Sequence, residues 1–343
     1  MDARTRRFRT ALDAVWTSRL HRLLGPLTRG SGIVFTLHHV RPDDGRAFAP
    51  NRLLEITPDY LETVIHVLRE QDYDLVTLDE AVARLGQKGA RRFASFTFDD
   101  GYRDVRDHAL PVLRRHGAPA TLFVTTSFAD GTGDLWWLTL ERALAAADSL
   151  TFKGESFDTS TAKKYAAWDR MYWMLRALPE DEMRAEIARL AGQAGADASD
   201  AARELCMTWG ELREVAKDPL VAIGNHTISH YMLAKHPEAV ARAEIAETQA
   251  RISRELGVTP RHIAYPVGDP TSAGPREFRI ARDEGLHGWT TRLGLLFPEH
   301  AAHTSALPRV SLNGHYQQRK YAELFVSGLP FAINNRFRRL NVD

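Results

Sequence analysis

The feature that most constrains this 343-residue chain is a repeated alternation of two kinds of text. Short runs rich in β-branched and aromatic residues recur: "GIVFTLHHV" (32–40), "FASFTFDD" (93–100), "PATLFVTTSF" (119–128), "LVAIGNH" (220–226), "HIAYPVG" (262–268), "HGWTTR" (287–292) and "LPRVSL" (307–312). Between most of them lie segments with helical periodicity, among them "PDYLETVIHVLREQ", opened by Pro58 with Thr57 as N-cap, and "AVARAEIAETQARISRELG", closed by Gly257. Strands that are apolar on both faces must be covered on both. Their alternation with helices therefore predicts a parallel sheet with crossover helices, an α/β barrel or a doubly wound domain. The rhythm breaks between 130 and 206, where "GDLWWLTLERALAAA", "AAWDRMYWMLRAL" and "EDEMRAEIARLAGQAG" predict a mainly helical insertion, with a small hairpin or loop at "LTFKGESFDTS".

The domain expected from this pattern spans 31–330, interrupted by the insertion, with a tail at 331–343. Residues 1–30 are Arg-rich. Phe8, Leu12, Val15, Trp16, Leu20, Leu23 and Leu24 fall at helical spacing, which predicts one basic amphipathic helix. Such a helix packs on the flank of the domain or lies on an anionic membrane surface, the remaining alternative being a floppy arm. No stretch reaches the ~18 apolar residues of a membrane span. The one cysteine, Cys206, excludes a disulfide framework and a cysteine-based zinc site. The expected location is the cytoplasm, with peripheral contact at the inner membrane surface as the variant. A net charge of +1 offers no global attraction to nucleic acid, and no G-x-G-x-x-G or Walker pattern points to nucleotides.

In parallel α/β folds, functional groups gather at the carboxyl ends of strands. Four such ends carry polar residues: Leu37-His38-His39, Asp99-Asp100-Gly101, Asn225-His226 with His230, and Tyr265-Pro266. Two adjacent carboxylates at the end of a buried strand repel each other and are costly to bury without a partner. In "GNHTISH", His226 and His230 are four residues apart. If the segment turns helical after the strand, both imidazoles project to one side and can hold a divalent metal. One acid of the Asp99–Asp100 pair would complete a two-histidine, one-carboxylate site with open positions. The other acid would be free to take a proton from water as it attacks a carbonyl, and His38, with His39 as the fallback, would protonate the leaving amine.

"TFDDGYRD", "HTISH" and "AYPVGD", in that order, resemble the polysaccharide deacetylase family, the carbohydrate esterases that share the NodB homology domain. The resemblance runs from about Ile33 to Leu312 apart from the insertion. It implies a distorted parallel (β/α)7-type barrel that removes acetyl groups from sugars, with Asp99 as base and Asp100, His226 and His230 as metal ligands. The implied metal is zinc, with cobalt, manganese or nickel as alternatives. Tyr265 and Pro266 would lie in the segment lining the substrate groove. Many members carry an arginine two residues before that proline, where it orients the base; here the position is Ala264, as in the "AYP" branch similar to biofilm N-acetylglucosamine deacetylases. Arg309 in "LPRV" is the candidate to supply that charge instead, and it is counted with Tyr265 and Pro266 on the substrate side of the site. The family's late histidine motif is not evident, so "LHHV" nominates His38 as general acid, with His287 and His303 behind it.

The expected activity is therefore metal-dependent hydrolysis of the acetyl groups of an N-acetylated polysaccharide or oligosaccharide such as a chitooligosaccharide, through a water activated by the metal and an Asp base. The alternatives are an amidase acting on a non-sugar amide, and a catalytically impaired relative that binds glycan. Trp136 and Trp137 at the start of the insertion are expected to pack its core or to form a sugar-stacking lid. His108, His116, His236 and His262 are expected to be solvated.

Overall fold

The computed structural model describes residues 3–87, 89–196 and 200–342. Seven parallel strands close into a barrel: β1 (Gly32–Leu37), β2 (Phe93–Phe98), β3 (Ala120–Val124), β4 (Val221–Asn225), β5 (His262–Ala264), β6 (His287–Leu293) and β7 (Leu307–Ser311). Each pairs with the next in sequence, and β7 returns to β1. The doubly wound alternative is thereby set aside. The barrel is distorted in two places. β4 and β5 share only the pair Asn225–Ile263, and the β6–β7 register slips between Trp289–Leu307 and Leu293–Arg309.

The period-2 alternation of each strand decides what faces where. Val34, Phe93, Phe123, Ala264, Trp289 and Leu307 form one buried cluster. Their neighbours Ile33, Phe35, Ala94, Phe96, Leu122 and Val310 join a second, larger cluster with the surrounding helices. On β2 the face of Phe93 continues through Ser95 and Thr97 to Asp99. One side of the barrel strand thus changes from apolar to polar towards its carboxyl end, and all of these residues are buried.

Three expectations need correction. The described part of residues 1–30 forms two helices, α1 (Ala3–Thr17) and α2 (Leu20–Thr28), because Arg19 adopts a left-handed backbone, φ 57°, that no helix can continue through. The tail does not begin at 331: that residue lies inside a short helix, Leu329–Asn334. His262 is not solvated but buried, taking Asp79 Oδ1 at 3.0 Å and the Trp289 indole N–H at 3.2 Å.

The region between β3 and β4 carries helices α4 (Trp136–Ala146), α5 (Lys164–Arg176) and α6 (Glu180–Ala194), with a hairpin pairing Ser149–Phe152 with Glu155–Asp158. Two further crossover helices matter below: α3 (Pro58–Glu70), capped by the Thr57 side chain, and α7 (Glu238–Leu256), closed by Gly257 at φ 68°. Helix α8 (Arg319–Ser327) packs on α3 and on α2.

Candidate active site

All four predicted strand ends lie on one rim. His38 follows β1 directly, Asp99 follows β2, His226 follows β4 and Tyr265 follows β5. The backbone at this rim is held in conformations that side chains usually avoid: Asp100 (φ 72°), Thr227 (φ 65°) and His230 (φ 54°) are all left-handed. Such residues persist only where surrounding bonds over-determine them, and they cluster at functional sites. Gly101 continues the turn at φ 71°, a conformation in which a Cβ would be strained although the space beside it is open.

The two histidines converge without a helix. After β4 the chain makes a tight loop in which Thr227 N–H donates to Asn225 Oδ1 at 2.9 Å and His230 N–H to the Thr227 hydroxyl at 3.1 Å. Glu244 on α7 accepts the N–H groups of Ile228 and Ser229, both at 2.8 Å. The expected helical projection is thus corrected: Cα positions four apart are brought together by left-handed turns instead.

The adjacent acids have different partners. Asp99 is buried, and the fully buried Arg309 grips it with two bonds, Nη1 to Oδ1 at 2.8 Å and Nη2 to Oδ2 at 2.7 Å. Thr36 adds a hydroxyl to Oδ2 at 3.3 Å. Arg309 is anchored in turn by Thr97 Oγ1 and by the Thr290 carbonyl, which lies in the slipped stretch of β6. Burial alone would raise the Asp99 carboxyl; Arg309, with His226 and His38, overcomes it and holds the group below the usual range. Three donors occupy three of its roughly four lone-pair sites and leave one for a further donor.

Asp100 faces the histidines. His226 Nε2 and His230 Nε2 each lie 3.3 Å from Asp100 Oδ1. The Nδ1 of His226 sits 2.7 Å from the Ala264 carbonyl, which can only accept, so Nδ1 carries the hydrogen and Nε2 presents a lone pair. A lone pair facing a carboxylate oxygen requires something positive between them, a proton or a cation. Asp100 Oδ1 has no conventional hydrogen-bond partner although it is buried. The three buried ligand atoms lie within 4.8 Å of one another. Donor atoms around a tetrahedral zinc-sized ion lie roughly 3.4 Å apart, so the set fits a divalent metal. Burial opposes ionisation of Asp100, yet His230, His226 and His38 hold its carboxyl well below the usual range.

The chain meets the test of a family model as well. The model described as polysaccharide deacetylase matches residues 86–287, more than half of the sequence. The chain belongs to the polysaccharide deacetylase family. These are hydrolases of the carbon–nitrogen bond in N-acetyl groups, generally metal-dependent, so the chain is an enzyme of this class and an acetylated glycan is the substrate the family implies. Among solved structures, the fold is similar to the Streptococcus pyogenes deacetylase PplD, in complex with acetate, at TM-score 0.53 and 16% identity over 82% of this chain and 92% of that one. It is similar to IcaB from Ammonifex degensii at TM-score 0.53 and 20% identity, over 86% of this chain and 97% of that one. A polysaccharide deacetylase from Bacillus cereus gives TM-score 0.54 and 14% identity, over 86% of this chain and 68% of that one. At such identities the likeness concerns the fold. No curated protein sequence matches the chain.

Within this family frame, the remaining expected residues separate. His38 is half-buried and faces the acids. Burial lowers its imidazole, while Asp100 and Asp99 pull the other way. His39 is not a free fallback: its Nδ1 binds Asp104 Oδ2 at 2.6 Å and its ring lies on Tyr102 at 3.7 Å. His287 is at the entry of β6, the opposite end of the barrel from the rim. Arg309 is not a substrate contact, since no part of it reaches the surface; it acts through Asp99. The Tyr265 side chain does not line a groove either. It is fully buried, with its hydroxyl donating to the Ser305 carbonyl at 2.7 Å, and Pro266 beside it is buried too.

Three contributors carried no signal in the sequence. Glu180 on α6 is buried and accepts from Met232 N–H at 2.7 Å, and Arg184 one turn later reaches the carbonyls of Ser229 and His230. Together they clamp the histidine loop from the insertion. Arg176 at the end of α5 reaches Asp269 of "AYPVGD" at 3.0 Å and so ties the insertion to the third motif. Trp136 and Trp137 are buried, which favours packing over an exposed lid, but Trp137 packs against the His230 ring at 4.8 Å. From there aromatic contacts run outward through Trp136 and Tyr172 to Trp173, which is half exposed.

Proposed function

We propose that this enzyme removes the acetyl group from N-acetylated sugar units of a polysaccharide or oligosaccharide, with a divalent cation, zinc by its ligand chemistry, held by Asp100, His226 and His230. The observation that carries the reading is the division of labour between adjacent acids: one is locked to an arginine, the other faces the Nε2 atoms of two imidazoles. When bound, the cation would polarise the acetyl carbonyl and acidify water at its open positions.

The residues of the chain supply the rest. Asp99 takes the proton of the attacking water through its remaining lone pair. Arg309 keeps that carboxylate ionised and fixes its orientation, the positioning task that the motif arginine performs elsewhere in the family. His38 delivers a proton to the departing amine; because burial disfavours its charged form, the protonated ring is a ready donor. The outer rings of the aromatic ladder, Tyr172 and Trp173, suit the apolar faces of pyranose rings.

The test is acetate release from a panel of acetylated glycans, with and without chelator, for wild type and Asp99→Asn. Release should stop with chelator and return with a divalent ion, and Asp99→Asn should lower it by about 10²–10⁴-fold. Chelator-insensitive release, or full activity of the variant, would overturn the mechanism.

A further inference from the structure

Helix α2 is turned inside out. The side it buries carries His21, Gly25 and Thr28. The side it presents to solvent carries Leu20, Leu23 and Leu27, the last two 74% exposed. An amphipathic helix meeting water does the reverse. The docking is specific: the Thr28 hydroxyl donates to the buried Ser327 carbonyl at 2.7 Å, His21 stacks on Trp16 at 4.8 Å, and a Cβ on Gly328 would come within 2.1 Å of the Thr28 carbonyl oxygen. Turning α2 to hide its leucines would break these contacts. The carboxyl end of the chain extends the apolar face. Phe337, 64% exposed, lines a shallow cleft together with Leu27, and Arg338 and Arg339 form part of the same lining. Exposed apolar surface of this extent on one face marks an interaction site.

The charge around it indicates the partner. Residues 1–30 hold seven arginines against two aspartates. Among the described residues, the exposed Arg7, Arg19, Arg22, Arg336 and Arg338 form no ion pair. A symmetric dimer through this face would bring like-charged collars together. An anionic bilayer accepts both features, with leucine and phenylalanine entering the acyl boundary and arginine meeting the headgroups. No helix among the described residues is long and apolar enough to cross a membrane, so the contact is a surface one. α2 leads into the amino end of β1, whereas the candidate site opens at the carboxyl ends, so docking through this face leaves the site uncovered.

We propose that the outer face of α2, with the carboxyl-terminal Phe337 segment, docks onto an anionic lipid bilayer. The test is co-sedimentation of the full chain with vesicles of phosphatidylglycerol and phosphatidylcholine, or of phosphatidylcholine alone, alongside light scattering. Wild type should bind the anionic vesicles at least about tenfold more tightly, and the preference should shrink as salt rises. Leu23→Glu/Leu27→Glu should weaken binding at least about tenfold with an unchanged melting temperature. Arg19→Gln and Arg22→Gln should each cost roughly fivefold on anionic vesicles and little on neutral ones. Equal binding to both vesicles, binding unaffected by the glutamates, or a wild-type dimer that the glutamates dissolve would each overturn the proposal. The readout is binding, so its failure leaves the proposed chemistry untouched.

Discussion

The rim of the barrel and the outer face of α2 both depart from the usual partition of polar groups outside and apolar groups inside, in opposite senses. At the rim, Asp99, Asp100, His226 and His230 are buried; on α2, Leu23 and Leu27 face solvent. The difference lies in where the compensation comes from. Asp99 is balanced inside the fold by Arg309, and Asp100 by two imidazoles. Among the described residues, nothing covers the two leucines, which stay 74% exposed. A buried charge must find its partner during folding, whereas an exposed apolar group can wait for one afterwards. The same contrast separates buried histidines. His226, beside Asp100 and Asp99, is raised despite its burial, while burial lowers the imidazole of His300, which is fully buried, to about 4.

The comparison breaks most sharply at Arg309. Replacing it with Met strands the buried Asp99 charge and should cost about 3–5 kcal/mol in urea unfolding. Adding Asp99→Asn should recover a large part of that loss. A double mutant no more stable than Arg309→Met would show that the pair is not what holds the rim. Next in size is a pair of leucine truncations. Leu61→Ala on α3, at a fully buried position, should cost about 2–5 kcal/mol, and Leu27→Ala no more than about 0.5. A comparable loss at Leu27 would mean that the α2 face is covered within the fold after all. The last effect, confined to a pH window, is at His300. An unfolded histidine titrates near 6.5 and the buried one near 4, so the unfolded chain binds the proton first as pH falls. The stability it contributes is complete above about pH 6.5 and declines towards pH 4, by at most about 3 kcal/mol. His300→Asn keeps an acceptor for the Phe297 N–H and should flatten the profile over that window; an unchanged slope would exclude His300 as its source.

Much of the rim was legible before any tertiary information, and the reasons are local. "FTFDD" shows a strand and its polar end in a handful of residues, and the histidine spacing in "HTISH" is a pattern of five. The sequence misleads where geometry depends on backbone conformations that composition does not reveal. Nothing in "HTISH" announces left-handed Thr227 and His230, so the helical projection was the natural but incorrect expectation. Tyr265 follows a strand whose neighbours point into the site, yet its ring is drawn into the core by the Ser305 carbonyl some forty residues away. Glu180 and Arg184 form an ordinary i,i+4 pair in the sequence, indistinguishable from a solvated one. Only the docking of the insertion on the 229–232 loop buries Glu180, half-buries Arg184 and gives both work.

By itself, the sequence determined the α/β class, the strand ends that matter and the identity of the two acids and two histidines, because apolar periodicity and strand length are properties of neighbouring residues. It also posed the question of what replaces the motif arginine at Ala264. It offered Arg309 as the candidate, and only the tertiary structure shows how that residue reaches Asp99. Arg309 reaches Asp99 because β7 closes the barrel onto β1, which lies beside β2, and because the slipped β6–β7 register frees the Thr290 carbonyl to anchor it. The tertiary structure likewise decided that α2 shows its leucines outward, since the same helical spacing serves equally well for a face turned in or out. Which face is buried depends on what the rest of the chain offers it, and here that was the backbone around Ser327 and Gly328.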